Sequence, residues 1–323
     1  MPTSKTTGWI DRIGRRLKLR DLHIFLAVAE RGNMARTAEH LGVSRPVVSK
    51  AIADLEHTLG VHLVERSRDG VELTMYGRAL LKRSTVVFDD IRLGVKEIEF
   101  LADPSLGEIR VGCPEVIAAG IVPVIISRLF GKYPRAKVEV VHTAQVDSNA
   151  LLFQQLRDRS IDVFIGRVPP RLKEDDLVVD ILLQDRMFVV AGSNSPWARK
   201  RKIDLAELAD APWILPPPDH VISIYLARIF RSKGLQPPSA HVVSNSTGAV
   251  SALLRSGPYL AIIPDIALHF YMQWLGLVAL PIDLPSPPGP NAIVTLKSRG
   301  QPPLLPAFVE CAHAVAKSIP RRR

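Results

Sequence analysis

GNMARTAEHLGVSRPVVSKAIADLEHTLG, residues 32–60, is the stretch on which the reading of this chain turns. Gly32 and Asn33 form a stop and a start. Glycine accepts the left-handed backbone that ends one helix, and an asparagine side chain caps the next. Ala35, Ala38 and Leu41 then mark the buried side of a short second helix, which Gly42 ends. Val43 plugs the turn. Ser44 stands as an N-cap, and Pro46 falls in the first turn of a third helix, where its missing N–H costs nothing. Val48, Ala51, Ile52, Leu55 and Leu59 repeat the spacing of an inner helix face, as Leu22, Phe25, Leu26 and Ala29 do in a first helix upstream. Two helices joined by a short glycine-containing turn describe a helix-turn-helix.

The outward residues of the third helix decide what this motif does. Arg45, Ser49 and Lys50 cluster at its N-terminal end, with Ser44 and Pro46 beside them and Arg36 on the helix before. In a DNA-reading helix-turn-helix that end enters the major groove, where arginine contacts guanine with two hydrogen bonds and serine reaches base edges or phosphate. A helical bundle with a solvated charged face would also turn cations outward. The capped short helix, the glycine turn and the basic end occurring together favour DNA. Downstream, Val61-His62-Leu63-Val64-Glu65-Arg66, a polar turn ending in Gly70, and Val71-Glu72-Leu73-Thr74 read as a β-hairpin. Such a wing brings Arg66 and Arg68 to flanking phosphates, contacts that set register and add salt-dependent affinity.

Charge supports the same reading. The chain has 323 residues, 47% hydrophobic and 23% charged, with a formal net charge of +10. That length suits two or three domains with packed cores. Residues 1–83 carry 15 Lys and Arg against 9 Asp and Glu, so the excess concentrates where the DNA module lies. The two cysteines, Cys113 and Cys311, are too few and too distant for a disulfide framework and read as reduced thiols; a redox switch through Cys113 is the alternative. The first 20 residues are basic without the apolar core of a secretory signal, and the longest apolar stretch, 116–126, is broken by Gly120 and Pro123. A cytoplasmic protein without a membrane span is expected.

Residues 22–77 closely resemble the DNA-binding part of the LysR-type transcriptional regulators. The residues that carry the resemblance include Phe25, Ala29, Gly32, Ala38, Leu41, Val43-Ser44, Pro46, Val48-Ser49, Ile52, Leu55-Glu56, Leu59-Gly60, Leu63, Arg66, Leu73-Thr74 and Gly77. Arg45 stands where many members have glutamine, and Met34 where many have serine or phenylalanine. The division expected is a basic arm over 1–17, a winged helix-turn-helix over 18–75, a linker helix over 76–103 and an effector domain over 104–323. Thr74 can cap the linker helix, on which Leu81, Phe88 and Val95 alternate with Ser84, Ile91 and Ile98 along a heptad seam. A helix buried against its own domain is the alternative; the resemblance implies that it pairs with a second chain. It further implies a homodimer on a dyad-symmetric operator, assembly to a homotetramer that bends DNA, and contact with RNA polymerase. Gly94 and Ser84 weaken the seam, so the effector domains are expected to contribute to assembly.

From Glu108 onward, apolar β-branched runs alternate with amphipathic stretches. Strands are expected at 109–112, 138–141, 161–166, 187–191, 213–215, 241–244, 260–263 and 292–296, the alternation of a parallel sheet with crossover helices. The region resembles, more loosely, the family's effector domain. The fold class expected is therefore α/β: a mainly α winged helix-turn-helix, a long linker helix, and a two-lobed domain like a type 2 periplasmic binding protein. Lobe I is expected over 105–184 and 284–323, lobe II over 185–283. Ligands of such sheets sit beyond the strand ends and against helix N-termini. Glu115 and Val116, Thr143 and Gln145, Gly166 and Arg167, Pro216 and Ser246 converge there as candidate effector contacts. Arg167 either holds a ligand carboxylate or forms a structural ion pair, with Glu115 as the nearest candidate. An inward Glu115 favours a hydroxylated or cationic ligand, such as a sugar, over a simple organic acid.

Three rival readings remain. An enzyme would need metal-ligand spacing, a phosphate-cradling loop or a nucleophile elbow, and none is found, so no cofactor or metal is expected. A transport receptor would need export and has no use for residues 19–60. A ligand-blind architectural DNA-binding protein would lack the effector response.

Overall fold

A computed structural model describes residues 16–67, 70–143, 150–172, 174–270, 275–287, 289–297 and 300–319. The chain forms two compact units that divide between Gly94 and Val95. The expected basic arm, apart from its last two residues, and the terminal Arg321-Arg322-Arg323 lie outside the described residues.

The first unit opens with α1 (Leu19–Arg31), α2 (Met34–Leu41) and α3 (Arg45–Leu59). Gly32, Gly42 and Gly60 end these helices with φ of 62°, 64° and 74°. The Asn33 side chain accepts from Ala35 N at 2.8 Å and Arg36 N at 3.2 Å, capping α2 as expected. Ser44 occupies the N-cap position of α3, but its side chain makes no cap hydrogen bond. The buried faces are wider than the simple stripe. On α1, Ile24, Ala27 and Val28 are buried with Leu22 and Phe25, whereas Leu26 and Ala29 are only partly covered. The helix is covered on two sides: Val48 and Leu55 of α3 share its core, and Phe88 of the long helix sets its ring 5.8 Å from that of His23. On α2, Met34 and Thr37 are buried and Ala35 is exposed, because the Thr37 hydroxyl turns inward to donate to Asn33 O at 2.7 Å.

β1 (Val64–Ser67) and β2 (Gly70–Leu73) pair antiparallel as the wing. The hairpin is tied at both ends. One Glu56 carboxylate oxygen accepts from Leu63 N at 2.7 Å and Val64 N at 3.3 Å. Val71 N donates to Gly32 O at 2.7 Å, and a Cβ at Gly70 would lie 2.3 Å from that same oxygen. Only glycine permits this approach, at φ 141°.

α4 (Met75–Ala102) is the long helix, 28 residues, and Thr74 caps it by accepting from Gly77 N at 3.0 Å. The expected seam is corrected in its first half. Leu81 and Phe88 pack on the helix-turn-helix core and Ser84 is buried. Beyond its first turn, where Met75 and Tyr76 are exposed, α4 leaves Val87, Ile91, Val95, Ile98 and Leu101 exposed, the last two at 68% and 74%.

The second unit holds two five-stranded sheets. In the first, β3 (Glu108–Pro114) runs parallel to β4 (Lys137–Thr143) and β5 (Val163–Arg167). The order is completed by β12 (Asn291–Leu296) and β6 (Leu177–Leu183), β12 lying antiparallel to both β5 and β6. The second sheet has the order β11 (Leu277–Ala279), β7 (Met187–Gly192), β10 (Leu260–Pro264), β8 (Trp213–Leu215), β9 (Ala240–Val243). The chain therefore crosses between lobes at 184–186 and returns at 280–290. β6 and β11 were not among the expected strands. Both are edge strands, and β6 turns Val178, Val179 and Ile181 to the surface, breaking the alternation that marks a half-buried strand. Helices α6 (Ile121–Lys132) and α11 (Leu305–Ser318) cover the first sheet through Ile121, Ile125, Leu129 and Phe308.

The last turns of α4 are fixed to this first lobe. Glu108 pairs with Lys96 and, at 3.1 Å, with Lys137, while Phe100 lies against Tyr133. Hydrogen bonding from Lys96 holds the Glu108 carboxyl down at about 2, against an ordinary 4.5. A lowered carboxyl favours folding while it is ionised, fully above about pH 5, and that contribution fades as pH falls toward its folded value. Glu108→Gln should therefore cost about 1 kcal/mol at neutral pH after solvent screening is allowed for. Chemical denaturation at a series of pH values should show the difference from the unmodified chain closing below about pH 4.

Candidate functional site

α3 has one face committed to the core and one left to solvent. Val48, Ala51, Ile52 and Leu55 are buried, while Arg45, Pro46 and Lys50 are exposed and Ser49 is half-buried. The two sets follow from one helical period, since 45, 46, 49 and 50 lie on the side opposite the 48–52–55 stripe. Arg36 on α2 is exposed as well, and Ser44 is exposed with its hydroxyl not engaged in capping. Among the described residues, none of Arg36, Arg45 and Lys50 is paired with a carboxylate. The result is a helix N-terminus with positive side chains and unspent donors. Of the wing residues expected to help, Arg68 lies outside the described residues, and Arg66 is described only in its backbone, within β1.

The lobes of the second unit meet along a groove between α5 (Glu115–Ala119) and α9 (Thr247–Ser256). Glu115, Ala119, Thr247, Ser251 and Arg255 line a cleft there of about 350 Å³. The Glu115 Oε1 accepts from Thr247 N at 3.1 Å across it. Ser246, exposed, caps α9 by accepting from Ala249 N at 3.5 Å. Of the candidate effector contacts Glu115 lines the groove and Ser246 stands next to it in sequence as the cap of α9, whereas Val116, Gly166, Arg167 and Pro216 do not line it. Val116 packs against the cores of both lobes. Gly166 is buried, and a Cβ there would meet the Phe164 ring at 2.5 Å and Pro114 at 3.1 Å. Pro216 is half-buried, its carbonyl accepting from the Ser223 hydroxyl at 2.9 Å. Thr143 ends β4 and is described only in its backbone, and Gln145 lies outside the described residues.

Arg167 pairs with Asp185 and not with Glu115. Its guanidinium donates to Asp185 Oδ2 at 3.1 Å and to Gly289 O at 2.7 Å. Asp185, 2% exposed in its side chain, also accepts from Ile266 N at 3.2 Å and Asn291 Nδ2 at 3.1 Å. Burial pushes the Asp185 carboxyl up to about 6 despite the neighbouring guanidinium. Burial likewise lowers Arg167. Sequence reasoning missed Asp185 and Asn291; the helix opening at Ser246 and Thr247 is among the expected places, but as a ligand site and not as the partner of Glu115. The one signal for Asp185 is its position, a lone acid between two apolar strands at the crossing of the lobes.

Cys113 and Cys311 are both buried in the core of the first lobe. Burial raises the Cys113 thiol to about 12 and covers it from solvent, both of which disfavour the exposed thiolate of a redox switch. Among the described residues, no three of His, Cys, Asp and Glu gather as metal ligands, and no helix is long and apolar enough to cross a membrane.

Comparison with known proteins matches both units. The profile of bacterial regulatory helix-turn-helix proteins of the lysR family covers residues 19–78, and that of the LysR substrate binding domain covers residues 102–317. The HTH-type transcriptional regulator GbpR of Azospirillum brasilense is 30% identical over 232 residues, 72% of this chain and 67% of that one. The regulator PcaQ of Agrobacterium fabrum is 25% identical over 292 residues, covering 90% and 92%. Among solved structures, full-length CbnR complexed with its target DNA matches with a TM-score of 0.52 and 26% identity, covering 93% of this chain and all of that one.

Proposed function

Because the chain belongs to the LysR family of transcription regulators, as a DNA-binding regulator carrying a substrate-binding domain, we propose that α3 is its reading helix. In this reading Arg45, Ser49 and Lys50 reach base edges in the major groove, while Ser44, Pro46 and Arg36 lie against the adjoining backbone, and Arg66 and Arg68 meet flanking phosphates. The observation that carries it is the one-sided burial of α3, with its cationic residues turned outward and unpaired by carboxylates among the described residues. The solved complex of CbnR with its target DNA supports the same use of the fold.

The exposed apolar residues of α4 support pairing with a second copy, which would present two reading helices to a dyad-symmetric site. Two such dimers form a tetramer, and the DNA-bound assembly meets RNA polymerase in the cytoplasm. The regulator acts by binding, not by catalysis. Its small-molecule effector sits between the lobes, near Glu115, Val116, Thr143, Gln145, Pro216 and Ser246, with Gly166 and Arg167 shaping the floor and hinge. The effector shifts the population of assemblies, which it can do only by binding one arrangement more tightly than the other. Genome-wide mapping of sites bound by the full-length chain tests this reading. Enriched sites should share a dyad-symmetric motif with half-sites about one helical turn apart, or a multiple of that. Uniform, motif-free recovery of DNA would leave only the architectural alternative.

A further inference from the structure

We propose that Glu115 is a built-in occupant of the effector cleft: its carboxylate bridges the two lobes by capping α9, and so holds the position an anionic effector would otherwise take. This deepens the reading of the cleft as the effector site and rests on it. Glu115 follows β3 directly and belongs to the first lobe, whereas Thr247, whose amide it accepts at 3.1 Å, opens α9 in the second lobe, 132 residues on. The first amides of a helix have no partner within it and carry the positive end of the helix dipole. A carboxylate is the group such a terminus binds, and here the opposite lobe supplies it. The remaining donor that is satisfied by a side chain, Ala249 N, is served locally by Ser246. Among the described residues, Glu115 has no cationic partner that would fix it elsewhere.

Two consequences follow. A carboxylate standing in the groove repels a second one, so an organic acid can take the α9 terminus only by displacing Glu115. A polyol or an ammonium-bearing molecule can instead hydrogen-bond to the carboxylate while leaving the bridge in place. Glu115 therefore selects the effector class and sets how far the lobes part when no effector is bound.

Amide hydrogen exchange on the full-length chain tests the bridge directly, with Glu115→Ala, Glu115→Gln and the unmodified protein compared. In Glu115→Ala, exchange at Thr247 and the first turn of α9 should rise about tenfold. Sodium acetate should slow it again in that variant and leave the unmodified protein unchanged. Glu115→Gln keeps a carbonyl acceptor without the charge and should exchange at an intermediate rate. If Glu115→Ala loosens everywhere, including the buried strand β10, it has lost its fold and Glu115→Gln decides. Unchanged exchange at α9 in the informative variant, or no response to acetate by a Glu115→Ala that keeps its fold, overturns the proposal. The measurement needs neither effector nor DNA, so the bridge can fail while the cleft reading stands. The cleft reading fails on its own terms if substitutions at Ser251 and Arg255 leave the regulator's response to its inducing medium intact.

Discussion

Lys50→Glu will abolish specific DNA binding while the chain keeps its fold and its assembly. Lys50 is exposed on the second turn of α3, and glutamate is as good a helix former as lysine, so stability should change by no more than about 0.5 kcal/mol. The loss lies in the complex. A well-made base contact is worth about 1–3 kcal/mol, and the substitution also sets a negative charge against a polyanion. A dyad-symmetric site doubles the effect, because both reading helices carry the change. A fall in affinity of roughly a thousandfold is therefore expected, measured by band shift or anisotropy on a fragment recovered with the unmodified protein. Circular dichroism and sedimentation should be unchanged. Lys233→Glu is the control: Lys233 is also exposed, and its reversal alters net charge equally, but it lies in the second lobe, just past α8 (Val221–Ser232). Near-normal binding by Lys50→Glu, or equal loss in the control, would remove α3 as the reading helix.

The helix-turn-helix was legible because its signals are local. A glycine at positive φ and an asparagine cap act within four residues, and both are where the pattern puts them. Glu56 shows the limit. It was recognised as part of a pattern, but its task, holding the amides of Leu63 and Val64, joins a helix to a strand and leaves no periodicity. The heptad of α4 failed in its first half for a related reason. A sequence repeat does not distinguish a face folded onto its own domain, as at Leu81 and Phe88, from a face left open, as at Ile91 and Ile98. In the second unit, strands buried on both sides were evident from their β-branched runs, while the edge strands β6 and β11 were not. The cleft was least legible. Strand-end logic brings Arg167 and Glu115 both toward the cleft and leaves Arg167 either a ligand carboxylate or an ion pair, yet each has a different partner. Arg167 took a carboxylate from the crossing between lobes, and Glu115 took a backbone amide, whose position no residue type records.

The Arg167–Asp185 pair is where the second large effect is expected. Asp185→Ala should destabilise the effector unit by about 3–5 kcal/mol, because it takes the carboxylate from a largely buried guanidinium and the acceptor from two buried N–H groups. Arg167, 17% exposed, would retain only the neutral carbonyl of Gly289 among these contacts, and Asn291 Nδ2 and Ile266 N would lose their shared acceptor. The pair itself is not strongly stabilising, since burial opposes the charge of both members. Replacing both, as Arg167→Met with Asp185→Leu, should therefore recover most of the loss, and the double-mutant cycle should give a coupling well above 1 kcal/mol. Urea unfolding followed through Trp213, buried in the second lobe, provides the measurement. The pH dependence has a definite sign. A carboxyl raised from 3.8 to about 6 binds its proton more tightly in the folded state. Its contribution to stability is therefore present in full below about pH 4 and lost as pH rises through about 6. The unmodified protein should gain stability relative to Asp185→Ala on acidification through that window. A gap that is constant with pH, or a loss under about 1 kcal/mol, would mean that Asp185 is solvated in the working protein and that the two crossings between the lobes are held by packing alone.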